Sequence, residues 1–265
     1  MIRQILSDKS TKLFLVLGGF FIANALIAEI IGVKIFSLEK TLGFTPMEIN
    51  LFGNALSVNL TAGVLLWPVV FIMTDIINEY YGMKGVRFLS YLTAGLITFA
   101  FIIFFFAMKL TPADFFITSK QGSGVPDMEK AYNSVLGQGG FIIIGSLTAF
   151  ILGQLIDVFV FHRIKKATGE KSIWLRATGS TLVSQFIDSF VVLFIAFYIG
   201  TRVNQQGNDF VWPMSLFLAV GLVNYIYKFV VAICLTPVIY LIHYLIERYL
   251  GVEKAAEMKK AAMLD

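Results

Sequence analysis

The stretch "VVFIMTDIINEYYG", residues 69–82, carries a run of large apolar side chains into Asp75, Asn78 and Glu79, with no Lys or Arg before Lys84. Asp75 and Glu79 stand four residues apart and Asn78 three from Asp75, so on a helix all three share one face. Around them 57% of the chain is hydrophobic and 14% charged, against about 25% charged in soluble domains. Polar groups in such a setting face the interior of a bundle and mark a functional site.

The apolar runs fix the fold class. A spanning helix needs ~20 mostly apolar residues to cross a hydrocarbon core ~30 Å thick. Six segments qualify, at 13–33, 58–79, 86–108, 137–161, 178–200 and 213–240. The first is too long for a signal-peptide core and is read as retained. Of the 21 Lys and Arg, 14 fall in the two termini and the second and fourth loops. Six fall in the alternate loops, and the last is Lys228. That bias places both termini in the cytoplasm. The expectation is an all-α polytopic membrane protein, a single domain over 1–265 with six transmembrane helices and both termini cytoplasmic. It ends in a short cytoplasmic tail, interfacial or flexible, at about 241–265. Residues 110–134 form the longest polar loop, with Gly122, Gly124 and Pro126 marking it as irregular.

Several chemistries are absent from the sequence. The single cysteine, Cys234, excludes an intrachain disulfide and a cysteine-based zinc site. No phosphate loop occurs, so the chain does not drive transport by that ATP chemistry. His162 and His243 lack metal-ligand spacing, no nucleophile elbow is present, and no cofactor is expected. The net charge of +4 resides in loops and does not point to nucleic acid.

Polar residues recur inside the other spans. Residues 154–160 read "QLIDVFV" and residues 185–191 read "QFIDSFV", one pattern on two helices that run in opposite directions. Gln154 and Asp157, like Gln185 and Asp188, share a face at mid-depth, and inverted repeats meeting at the midplane mark carrier binding sites. Lys228 lies deep in the last span, with Asn224 four residues before it. Its expected partner is Asp188 or Asp157, either as part of a site or as a salt bridge that fixes packing. Asn24 is the candidate in the first span, because Glu29 nears the outer end. Glu79 has a plainer alternative, an interfacial pair with Lys84 or Arg87. Carboxylates and amides beside Phe186, Phe190, Tyr225, Tyr227 and Phe229 suit a flat ring with adjacent N–H donors. They also suit a cationic amine, or protons passing between carboxylates.

The stretches "GVLLWPVVFIMTDIINEYYG" (63–82), "GQLIDVFVFHRIKK" (153–166) and "SIWLRATGSTLVSQFIDSFVV" (172–192) resemble the queuosine precursor transporter family, also grouped as vitamin uptake transporters. The resemblance implies import of a 7-deazaguanine, such as 7-cyano-7-deazaguanine, for tRNA modification. It also implies a multi-pass protein of a bacterial inner membrane. The family's D-x-x-x-E-x-x-G falls on Asp75, Glu79 and Gly82, and its R-x-x-x-S…Q-x-x-D on Arg176, Ser180, Gln185 and Asp188. The stretch "SVNL" (57–60) is more polar than the family pattern. The expected substrate-binding set is Asn24, Asp75, Asn78, Glu79, Gln154, Asp157, Arg176, Gln185, Asp188, Asn224 and Lys228. Expected partners are the lipid bilayer, a coupling proton or sodium ion, and either a second copy or a partner ATPase module. The last belongs to the alternative function, a substrate-capture subunit of an energy-coupling-factor importer. An embedded enzyme is disfavoured because no nucleophile or metal set stands out.

The orientation is testable. A reporter fused after residue 265 is expected to be active only in the cytoplasm, and activity confined to the outer side would overturn the assignment.

Overall fold

A computed structural model describes residues 8–137, 139–169, 173–203 and 211–263. Arg3 and Lys171, two of the orienting charges, lie outside the described residues. Five helices are long and apolar enough to cross a membrane. The first is α1, Lys9–Ile31, whose N-cap Asp8 accepts a bond from the Thr11 amide. Two short antiparallel ribbons follow. β1 (Ile35–Ser37) leads into the single turn α2 (Leu38–Thr41), and β2 (Ile49–Leu51) pairs with β3 (Asn54–Leu56). β4 (Asn59–Thr61) returns to β1 with Phe36 opposite Leu60. Glu39 ties these ribbons together, because its carboxylate accepts the Val58 amide at 2.7 Å. That bond holds the Glu39 carboxyl below its ordinary value.

The second span was expected to start at residue 58. Instead the polar residues Asn59–Thr61 pair as a strand, and the long helix α3 runs Trp67–Met108 with Pro68 in its first turn. Proline suits that position because its missing N–H has no partner there in any helix. Within α3, Gly82 adopts φ 69° and ψ −174°, a combination open essentially to glycine alone. The contacts of α1 show what this break does. Before it, a Cβ on Gly63 would strike the Ala28 carbonyl, and the Tyr81 hydroxyl donates to Ser10 at 2.7 Å. After it, Gly85 lies against Phe14 and Gly18 against Leu89. The arm Trp67–Tyr81 therefore descends α1, and the arm Met83–Met108 climbs back along it.

The loop at 110–134 contains α4 (Asp114–Thr118) and leads to α5, Met128–Leu136. The next two spanning helices are α6, Gly140–Thr168, and α7, Ile173–Leu193. α7 widens to π geometry over Phe194–Ile199 before the short α8, Gly200–Val203. α9 spans Met214–Leu250 and α10 spans Val252–Ala262. Residues 241–250 and 252–262, within the expected interfacial or flexible tail, are helical. Ala255, Met258 and Ala262 are buried, and Lys9 donates to the Tyr249 carbonyl at 3.0 Å. The start of α1 and the end of α9 thus meet at one end of the bundle, here called the terminal end.

α6 and α7 pack antiparallel in a tight register. Gly200 meets Phe141, Gly145 meets Ala196, Gly153 meets Asp188, and Asp157 bonds Ser184. Glycines at Gly145 and Gly153 let the backbones approach without a hydrophobic driving force, which lipid does not supply. The two copies of Q-x-I-D-x-F-V consequently lie side by side in opposite directions at the bundle's centre. Apolar residues such as Val16, Phe20, Phe99, Ile102 and Phe159 are exposed on the outside, as a lipid-facing surface requires.

Three charged groups lock the terminal end. Arg176 donates to Glu79 through Nη2 at 2.7 Å and Nε at 3.0 Å, and through Nη1 to the Gly169 carbonyl at 2.9 Å. Lys165 reaches the Glu79 carboxylate at 3.2 Å and its backbone carbonyl at 3.1 Å. All three side chains are at most 1% exposed. The break at Gly82 follows directly after this lock on α3.

Gly82→Ala is expected to cost roughly 1–3 kcal/mol, because a Cβ is strained at that backbone conformation. The check is the melting temperature of the purified protein in detergent. An unchanged value would mean that the turn does not depend on glycine.

Candidate functional site

Two cavities meet at the centre of the bundle. The wider, about 380 Å³, is bounded by α1, α6, α7 and α9 and includes Glu29, Ser146, Asp188, Asn224 and Lys228. Its rim reaches Ile35, Thr61, Ser134 and Gly137, all at the end opposite the termini. Its size falls in the range of small-molecule sites. The narrower is a slot of about 30 Å³ between α3, α7 and α9, room for little more than a water molecule. Trp67, Phe71, Asp75, Thr178, Thr181 and Gln185 face it. Val64, Trp67 and Lys228 border both cavities and form the partition between them.

Helical spacing explains these linings. Trp67, Phe71 and Asp75 follow one another at intervals of four on α3, which brings an indole, a phenyl ring and a carboxylate onto one stripe. On α7, Thr178, Thr181, Gln185 and Asp188 step by three, four and three. The Asp75 carboxylate accepts long bonds of 3.4 Å from Ser180 and Thr181, and the Gln185 Nε2 has no partner among the described residues. Lys228 donates to Asp188 at 2.5 Å. Of its two expected partners, Lys228 therefore has Asp188. Glu29 accepts a bond from the Ser146 hydroxyl across α1 and α6.

The expected site residues divide into three groups. Asp75, Gln185 and Lys228 line the slot, while Asp188, Asn224 and Lys228 line the wide cleft. Gln154 and Asp157 are fully buried between α3, α6 and α7. Gln154 accepts from Thr74 at 2.8 Å and Asp157 from Ser184 at 3.0 Å, and neither reaches a cavity. Glu79 and Arg176 satisfy each other in the terminal lock, so Glu79 pairs with neither Lys84 nor Arg87. Asn78 is buried behind the slot with its Nδ2 unpartnered. Asn24 bonds the Phe20 carbonyl of its own helix at 2.8 Å and lines neither cavity.

Other residues take places that the sequence had not assigned to them. Glu29, passed over for its nearness to the helix end, faces the wide cleft because the ribbon at 35–61 extends the bundle beyond it. Phe186 packs against Phe190 at a tilt and against Tyr225 edge-on between α7 and α9, with centroids 4.8 and 5.3 Å apart. With Tyr227 and Phe229 they line neither cavity. The aromatic surfaces are supplied by Trp67 and Phe71, and the signal for them was their four-residue spacing from Asp75.

The chain can therefore present carboxylates, amides and an ammonium around a flat aromatic wall at the centre of the bundle. Comparison with known proteins fits this arrangement. The family described as "Putative vitamin uptake transporter" matches residues 61–242, more than half of the chain. A Bacillus subtilis protein named "Probable queuosine precursor transporter" is 28% identical over 194 residues, covering 72% of this chain and 73% of its own length. A Haemophilus influenzae protein of the same name is 25% identical over 240 residues, 87% of this chain and 86% of its own. The Escherichia coli protein named "Queuosine precursor transporter" is 26% identical over 173 residues, 65% and 67% of the two chains. No solved structure matches. With the family match running from the strand before α3 to the middle of α9, this chain belongs to the vitamin uptake transporter family.

Proposed function

We propose that the chain carries a 7-deazaguanine precursor of queuosine, such as 7-cyano-7-deazaguanine, across a bacterial inner membrane into the cytoplasm. The observation that carries this reading is the pair of cavities divided by Trp67 and Lys228. A wide cleft opens away from the termini, and a narrow, largely apolar slot that carries Asp75 and Gln185 lies behind the partition. Such a pair is what a carrier with one side open presents. The names of the three relatives support the cargo. The antiparallel arms on either side of Gly82 support six crossings. The meeting of Lys9 with Tyr249 supports both termini on one side, and the Lys and Arg bias makes that side the cytoplasm.

The cargo is a flat ring with a ring N–H beside an amino group. Carboxylates accept such donors, and an indole face stacks on the ring. In the wide cleft, Asp188 and Asn224 receive the ring edge beside Lys228, with Trp67 as the flat wall. When the partition opens, Asp75 and Gln185 take over the same donors in the slot.

Two measurements test this. Asp188→Asn is expected to abolish uptake while leaving the protein in the membrane. Combining it with Lys228→Met is not expected to restore uptake. Restoration would mean that Asp188 serves only to neutralise the lysine, since both charges would then be absent together.

Selectivity is the second measurement. A site built for a hydrogen bond leaves its own group unpaired when the ligand lacks the match, at a cost of ~1–3 kcal/mol. A des-amino analogue is therefore expected to compete for uptake at least roughly tenfold more weakly than the parent. The 7-cyano and 7-aminomethyl forms should compete within a modest factor of each other. Equal competition by the des-amino analogue would remove the carboxylates from substrate reading. Uptake should proceed with the purified chain alone in liposomes, and a requirement for an ATPase partner would instead favour the energy-coupling-factor reading.

A further inference from the structure

We propose that Asp75 and Asp157 form a proton-binding pair that holds one proton between them and couples transport to the proton gradient. Its coupling to cargo rests on the function proposed above, whereas the proton site stands on the pair itself.

The geometry is a row of side chains across three helices. Asp75 on α3 is 1% exposed and Asp157 on α6 is 0% exposed. α7 separates them with a ladder of hydroxyls. Thr181 and Ser180 reach Asp75 at 3.4 Å, and one turn further along α7 Ser184 reaches Asp157 at 3.0 Å. Three polar atoms in this seam have no hydrogen-bond partner among the described residues: the Asp157 Oδ2, the Gln154 Nε2 and the Asn78 Nδ2. The Asp157 carboxylate is thus half-satisfied in a site that neither cavity reaches. That describes a group that is neutral for part of its working cycle.

Charge balance fixes the number of protons. The ionisable neighbours on α3 are Glu79 and Tyr80, and on α6 His162 and Lys165. On α7 they are Arg176 and Asp188, and on α9 Lys228 and His243. Lys228 is matched by Asp188 at 2.5 Å, and His243 bonds the Tyr80 hydroxyl at 3.1 Å. Glu79 is matched by both Arg176 and Lys165, which leaves one positive charge in surplus at the terminal end of the seam. That surplus offsets one of the two aspartates. The other is offset by a proton, because two like charges buried together disfavour joint ionisation. Asp75 faces the slot and Asp157 does not, so the two oxygens have different tasks. Donors of the cargo in the slot favour ionised Asp75 and place the proton on Asp157. Cargo and proton are then held together, and neither step leaves a second buried charge. Loss of the proton to the far side leaves the pair doubly charged, a state that the buried seam disfavours, so cargo crosses together with the proton.

The sign of the pH effect follows. Uptake driven by the proton gradient weakens as pH rises through deprotonation of the pair. In Asp157→Asn the amide imitates the protonated acid, so exchange of cargo persists and no longer varies with pH.

The experiment has a ligand-free arm and a transport arm. Infrared spectra of the purified protein in lipid are expected to show a carboxylic C=O band that fades as pH rises and that Asp157→Asn removes. This arm reads the proton whatever the cargo is. In proteoliposomes with radiolabelled 7-cyano-7-deazaguanine, Asp157→Asn is expected to keep exchange of internal for external cargo. It should lose accumulation driven by a pH gradient, down to the level of empty vesicles. A band unchanged by Asp157→Asn overturns the proton site. So does full gradient-driven accumulation by the variant, or accumulation by the wild type that follows a sodium gradient at equal pH. Retained exchange shows that the variant is folded. If the wild type carries no deazaguanine but the band behaves as expected, the cargo assignment fails and the proton site stands.

Discussion

Everything at the centre of this bundle hangs on how one carboxylate, Glu79, is neutralised. In lipid a lone buried charge is among the least tolerated features. Glu79 is held by Arg176 in a two-bond fork and by Lys165, from two other helices. Breaking one member of such a buried set is strongly destabilising, because it leaves a charge without compensation. The fork geometry also fixes orientation, which a point charge would not. Once Glu79 is clamped, the residues one and two turns earlier on the same stripe, Asp75 and Phe71, are set in direction and depth against α7. The lock thereby positions the slot without contacting it.

The glycine pattern is the second constraint. α6 and α7 approach closely along Gly145 and Gly153, and that closeness keeps the two Q-x-I-D-x-F-V copies in register. Their equivalence ends at the partners. Asp188 meets Lys228 from α9, and Asp157 turns towards α3 and the hydroxyl ladder. One motif, repeated in opposite directions, yields an ion-paired carboxylate beside an open cleft and an unpaired one in a sealed seam. The local twofold relation supplies two similar groups, and the asymmetric surroundings divide their chemistry. Widening of α7 to π geometry just after Asp188 adds to this asymmetry, since such widening interrupts the regular ladder of a helix.

Much of the architecture was legible in composition and spacing. Apolar length marks the spanning helices because the bilayer sets a minimum, and five long helices are present. Face-sharing in Asp75, Asn78 and Glu79 marked an inward stripe, and all three are buried. Lys228 announced a buried acid, and Asp188 is that acid. Polar residues at 57–61 are a case where local sequence and hydropathy disagreed, and pairing of β4 with β1 shortened the expected span.

What the sequence alone determined is therefore the medium, the helices, the inward faces and the identity of the polar groups. These follow from solvent and periodicity, which are local properties of the chain. Partnership was decided only by the tertiary structure. Glu79 and Arg176, expected at the substrate, satisfy each other instead. Asn24 folds back on its own helix, while Glu29, Trp67 and Phe71 come to line the cavities. The physical reason is that a helix fixes which way a side chain points, whereas the charge or hydroxyl it meets comes from helices about a hundred residues away. Which buried carboxylate is matched by a cation and which is left to a proton is a property of the packed bundle, and no single segment contains it.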